Sequence, residues 1–180
     1  MKKNNLPIRF AKTLYKLAAD EKEAEKYFQQ LNELALLAVD KRLMDGLTTL
    51  SFTNITKIQE VLKSLFGKNL APALLNMMIL LVANRQAKLL TSIARIYQKT
   101  YFEAEGIKDV MICSSRELSG IEREEITKKL NSKNKAYLTF KMDKDLIGGA
   151  QIYENGRLTD SSLRSQLEHL RRELLGEHLV

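Results

Sequence analysis

The sequence predicts a helical bundle followed by a small α+β module of β-α-β-β-α order, joined near residue 106. Two observations carry this. Apolar residues recur at three- and four-residue spacing from residue 6 to about residue 105. Beyond Gly106 the period switches, with Ala136, Leu138, Phe140 and Met142 alternating with Tyr137, Thr139 and Lys141 in strict period two. The chain has 180 residues, 44% hydrophobic and 28% charged, ordinary for a soluble globular protein with room for one or two cores.

Taken in order, Pro7 suits the first turn of a helix whose apolar face is Phe10, Leu14, Leu17 and Ala18. A second helix follows Asp20, with Ala24, Tyr27, Phe28, Leu31, Leu34, Ala35 and Ala38 on one side. Gly46 is expected to loosen the chain between Leu43 and Leu47, and residues 51–56 offer several caps. Ile55, Ile58, Leu62, Leu65 and Phe66 resume the helical period, which Gly67 is placed to stop. Pro72 opens an apolar helix, and residues 85–105 read as one long helix with Leu89, Leu90, Ile93, Ala94, Tyr97 and Tyr101 inward.

In the second module, residues 110–113 read as a short strand. Ser119-Gly-Ile-Glu122 is a capping box opening a helix with Ile121, Ile126 and Leu130. The strand 136–142 follows, then a strand carrying Gly148-Gly149, a tight turn at Asn155-Gly156, and a last helix with Asp160 as N-cap. Leu163, Leu167, Leu170 and Leu174 fall on one face of that helix.

Several classes of function find no support in the residues. Cys113 is the single cysteine, so no intramolecular disulfide can form, which favours a cytosolic compartment, and a buried structural thiol is the expected role. The lysines at the N-terminus have no apolar run behind them, unlike a signal peptide. The longest apolar stretch, residues 73–83, falls short of the roughly 18–20 residues that span a bilayer. His169 and His178 read as solvated helix residues, with no partner at metal-ligand spacing. Gly148-Gly149 has no phosphate-loop context, and close backbone packing or a bulge accounts for it better. No metal, cofactor, small-molecule ligand or active site is expected.

Charge gives the rival reading. The formal charge is +7 and the pI about 9.4; residues 1–105 carry 16 Lys+Arg against 10 Asp+Glu, while residues 106–180 carry 13 against 12. Lys2, Lys3, Arg9, Lys12 and Lys16 cluster on the first helix and its approach, so an acidic partner would dock there, and a basic RNA- or ribosome-associated binding protein is the alternative. Against it, basic and aromatic residues are not interleaved on one platform. Met77-Met78 reads first as core filler and second as part of an adaptable groove.

Asp145-Leu-Ile-Gly-Gly149 and Asp160-Ser-Ser-Leu-Arg164, followed by Leu167 and Leu170, resemble in type and spacing the C-terminal signature of the delta subunits of F-type ATP synthases, the oligomycin-sensitivity-conferring proteins of mitochondria. Arg9-Phe-Ala-Lys-Thr-Leu14 is similar to that family's Arg-Tyr-Ala-x-Ala-Leu opening, with Phe10 for tyrosine and Thr13 for alanine. Residues 80–96, with Glu105-Gly106 and a strand behind them, look like its passage into the second domain, although Val82-Ala83-Asn84-Arg85 keeps only the arginine of its Glu-Asn-x-Arg in register.

The resemblance implies a non-catalytic stator subunit on the cytoplasmic face of a bacterial inner membrane. It implies a six-helix domain over residues 1–105 that grips N-terminal helices of the alpha subunits in a groove between helices one and five. Arg9, Phe10, Leu14, Leu17, Met78, Ile79 and Val82 are the candidates there. It also implies a domain over residues 106–180 that holds the b subunits, with Gly148, Gly149, Asp160, Arg164, Leu167 and Leu170 as candidates on that side. No nucleic acid is expected as a partner.

Overall fold

The computed structural model describes residues 5–66, 70–131 and 135–175. Gly67, His178, Lys2 and Lys3, which the sequence reading singled out, lie outside the described residues. The chain divides into two compact units, residues 1–104 and 105–180.

The first unit is helical throughout: α1 (Leu6–Leu17), α2 (Glu21–Leu37), α3 (Lys41–Leu50), α4 (Ile55–Phe66), α5 (Pro72–Ala83), a 3-10 turn (Ala87–Leu89) and α6 (Leu90–Glu105). Its core gathers Ala11, Leu14, Leu31, Ile58, Leu62, Leu74, Met78, Val82, Ile93 and Tyr97, all almost wholly buried. The Tyr97 hydroxyl donates to the Ala24 carbonyl at 3.1 Å, which settles a polar group that burial would otherwise penalise. Burial pushes that hydroxyl's pKa well up, and pushes Tyr27, whose hydroxyl donates to Glu23 Oε1 at 2.7 Å, up to about 12. Phe28 stacks on Tyr101 with centroids 5.4 Å apart, fixing α2 against α6.

Three local expectations are corrected here. Gly46 does not loosen the chain but sits inside α3, where burial of Leu47 outweighs the roughly 1 kcal/mol that a helical glycine costs. The face that α1 buries is Pro7, Ala11 and Leu14, so Leu17 stands 58% exposed. The helix drawn from Arg85 begins at Leu90 instead. Arg85 adopts the left-handed conformation (φ 58°), and Gln86 N–H returns to the Leu81 carbonyl at 2.7 Å, ending α5 without the usual glycine.

The second unit runs β1 (Lys108–Ser114), α7 (Gly120–Asn131), β2 (Ala136–Met142), β3 (Gly149–Glu154), β4 (Arg157–Ser162) and α8 (Leu163–Leu174). The sheet order is β2-β1-β3-β4, with β1 and β2 parallel and the other two pairings antiparallel. The expected β-α-β-β-α order therefore lacked one strand. β4 forms a hairpin with β3 across Asn155-Gly156, both in positive φ as a two-residue hairpin turn requires. Val110, Ile112 and Cys113 on the central strand form the small core, with the Cys113 thiol buried as expected. The capping box is formed: Ser119 N–H donates to Glu122 Oε2 at 2.9 Å and Glu122 N–H to Ser119 Oγ at 3.3 Å.

Candidate interaction surfaces

In the second unit the glycine pair and the residues 160–163 meet. Gly149 opens β3 in a positive-φ conformation (80°), and a Cβ there would strike the Ser161 carbonyl oxygen. Gly148, which precedes the strand rather than lying inside it, accepts from Leu163 N–H at 3.0 Å, and a Cβ on it would meet the Leu163 side chain. This is the close backbone approach that the glycine pair suggested. It ties the start of β3 to the first residue of α8.

Asp160 is not the N-cap of the last helix. It lies in β4, and its carboxylate accepts from Ser162 N–H at 2.9 Å and from Gln151 Nε2 at 3.1 Å; the Ser162 N–H is the main reason its pKa is held below the ordinary value. The cap is Ser162, whose extended backbone and Oγ, accepting from Ser165 N–H at 3.2 Å, have the required geometry. Asp160, Ser161 and Ser162 are all good capping types. Strand pairing through Ser162 moved the helix start two residues on.

No residue of the helix so positioned is fully buried: Leu163, Leu167, Leu170 and Leu174 are 46%, 62%, 53% and 86% exposed. Arg164 pairs with Glu168 and His169 with Glu173 along the exposed surface, each at 3.4 Å, and Arg171 and Arg172 are solvated too. A twelve-residue helix held by caps and such pairs is marginal in water. Its apolar stripe at i, i+4, i+7 and i+11 is the pattern of a helix made to be covered by another.

In the first unit, α1 packs against α5. Of the candidates there, Leu14, Met78 and Val82 lie in the core and Ile79 is 8% exposed, so these four hold the bundle itself. Phe10 is half-buried, while Leu17 and Arg9 are exposed with Lys12 and Lys16. Sequence reading missed Ile8 (41% exposed) and Leu80 (52%) on the same two helices. Each falls one residue out of phase with its helix's buried positions, a signal that shows only once those positions are known.

Residues 7–174 match the family model described as the ATP synthase delta (OSCP) subunit. The chain belongs to this family. The ATP synthase subunit delta of Fusobacterium nucleatum is 26% identical over 175 residues, covering 96% of this chain and 99% of that protein. The subunit delta of Lysinibacillus sphaericus is 29% identical over 173 residues, covering 93% and 96%. A chain in the Toxoplasma gondii mitochondrial ATP synthase hexamer shares the fold with a TM-score of 0.66 at 19% identity, over 94% of this chain and 97% of that one.

Family membership makes this a non-catalytic stator subunit of the peripheral stalk of an F-type ATP synthase. The RNA-factor alternative finds no support in these relatives. No helix among the described residues is long and apolar enough to cross a membrane. Among the described residues there is also no group of three His, Cys, Asp or Glu side chains that could hold a metal ion.

Proposed function

We propose that the two units clamp two different partners. The first, residues 1–105, holds amphipathic N-terminal helices of the alpha subunits at α1 and α5; the second, residues 106–180, holds the end of the b subunits at α8. A helix lying along α1 and α5 would meet Phe10 and Leu17, which share one flank of α1, and Leu80 of α5, with Arg9, Lys12 and Lys16 steering an acidic segment from the rim. The core residues Leu14, Met78, Ile79 and Val82 shape that surface from beneath. The relatives named above from Fusobacterium and Lysinibacillus are bacterial, which supports a place at the cytoplasmic face of the bacterial inner membrane.

The observation that carries the stalk assignment is the leucine face of α8. A leucine taken from full exposure to full burial contributes about 1.5–3 kcal/mol; these four start 46% to 86% exposed, so covering them favours capture by part of that amount each, against the cost of association. Gly148, Gly149 and Asp160 position the helix, and Arg164 lies beside its apolar stripe. Rotation of the central shaft makes ATP only if the head is kept from turning with it. The subunit's part is to resist that torque, for which slow release from both partners is the requirement.

The test is Leu167→Asp in the full chain, with binding to the soluble portion of the b subunits measured by calorimetry. Loss of binding with little change in melting temperature is expected, because Leu167 is 62% exposed in the free chain. Retained binding would remove α8 from the interface.

A further inference from the structure

The second unit leaves half of one sheet face without a helix. Phe140 of β2, Ile112 of β1, Ile152 of β3 and Thr159 of β4 are register partners, so they stand in one row on the same side of the sheet. α7 lies over the β2 half of that side: its Arg123 guanidinium carbon is 5.8 Å from the Phe140 ring centroid, and Ile112 beside it is 3% exposed. The other half is open, with Ile152 only half-buried and Thr159 exposed. A helix is about 10 Å across and strands lie about 4.8 Å apart, so one helix covers two strands and a four-stranded sheet takes two.

The unit has no second helix of its own to lay there. β4 ends at Ser162 and α8 begins at Leu163, with no loop that could turn the helix back over its strand. The leucine stripe of α8 nevertheless starts on this open half. Leu163 N–H donates to the Gly148 carbonyl at 3.0 Å, two residues beyond the Ser161–Ala150 pair, and the Leu163 side chain packs against Gly148. Residues two apart in a ladder share a face, so Leu163 stands on the side of Ser161 and Thr159. From there Leu167, Leu170 and Leu174 follow at spacings of four, three and four, the period of a coiled-coil seam.

We infer that the partner helix lies in a trough whose wall is the leucine stripe of α8 and whose floor is the open β3–β4 half of the sheet, so that one amphipathic helix completes the layer that α7 begins. The inference rests on the stalk assignment, which makes the occupant a b-subunit helix. Wall and floor are continuous at Leu163, and the floor has the width of one helix. A second copy of this chain fits less well, because two α8 helices laid antiparallel along the seam would set Arg164 of one beside Arg171 of the other. The opposite side of β4, where Leu158 is 48% exposed, stays outside the contact.

Thr159 and Leu158 are exposed neighbours on one edge strand, one on each face, and they separate the two sides. Full-length Thr159→Arg, Thr159→Ser and Leu158→Arg are titrated with the soluble portion of the b subunits by calorimetry, beside wild type and Leu167→Asp. Thr159→Arg should weaken binding by about tenfold or more, while Thr159→Ser and Leu158→Arg stay within about twofold of wild type. A spin label on Thr159→Cys should lose mobility when the b portion is added and one on Leu158→Cys should not, a reading that needs no buried or charged substitution. Unchanged affinity in Thr159→Arg, equal weakening by Leu158→Arg, or a free chain whose dimer Thr159→Arg disperses overturns the inference. If Leu167→Asp abolishes binding and Thr159→Arg does not, the floor falls and the stalk assignment stands; if neither variant weakens binding, both fall.

Discussion

Glu122 shows how one side chain can serve three local ends. It closes the capping box on α7 through Ser119 N–H, accepts the Ser119 hydroxyl, and holds the Arg116 guanidinium. The Arg116 guanidinium and then the Ser119 donors pull its pKa from the ordinary 4.5 down to about 2. A carboxylate depressed in the folded state binds fewer protons there than in the unfolded chain. Its contribution is therefore fully present above about pH 4.5 and is lost as pH falls toward 2. Urea midpoints at pH 5 and pH 2.5 should consequently differ less in Glu122→Gln than in the wild type; an identical pH dependence would mean that this carboxylate does not support the folded state. Asp160 shifts in the same direction through Ser162 N–H. Its role was misassigned from sequence for a simple reason: the chain offers Asp160, Ser161 and Ser162 in a row, and only the strand register chooses among three competent caps.

At the scale of elements, what the sequence hides is what apolar pattern does not mark. β4 is an edge strand in which residues 157–161 are all exposed, so Arg157-Leu-Thr-Asp-Ser-Ser162 shows no in-and-out alternation and reads as turn and cap. The end of α5 was hidden in the same way, because Arg85 takes a left-handed conformation that sequence reasoning reserves for glycine. Where a face is buried on one side the reading was good: Ala24, Tyr27, Phe28, Leu31 and Leu34 of α2 are all buried as their spacing indicates. The stripe of α8 was legible as a helix face, but its exposure was not, since periodicity reports a face and says nothing of what covers it. Gly149 ties these elements together. Gly149→Ala would combine a disfavoured φ with a collision against the Ser161 carbonyl, at a cost of about 1–3 kcal/mol to the second unit. Hydrogen exchange should show faster opening of β3 and β4 with α2 and α6 unaffected; unchanged protection in β3 would show that the backbone accommodates the methyl group.

For the whole molecule, the division into two units, each with its own core, suits the proposed clamp on two partners. The helical unit carries most of the net positive charge and the larger core, and the sheet unit presents a helix whose leucine face is largely exposed. Neither unit needs an active site for this task. The proposed clamp demands two apolar contacts that release slowly, on surfaces independent enough that one can be lost without the other.

That independence is tested most directly by measuring, on one set of purified full-length chains, the affinities for an alpha-subunit N-terminal peptide and for the soluble b-subunit portion in wild type, Phe10→Asp and Leu167→Asp. The expected result is a crossed loss: Phe10→Asp weakens the alpha peptide alone and Leu167→Asp the b portion alone, each by about a hundredfold or more. Loss of both affinities in either variant, or of neither in both, would contradict the two-sided clamp.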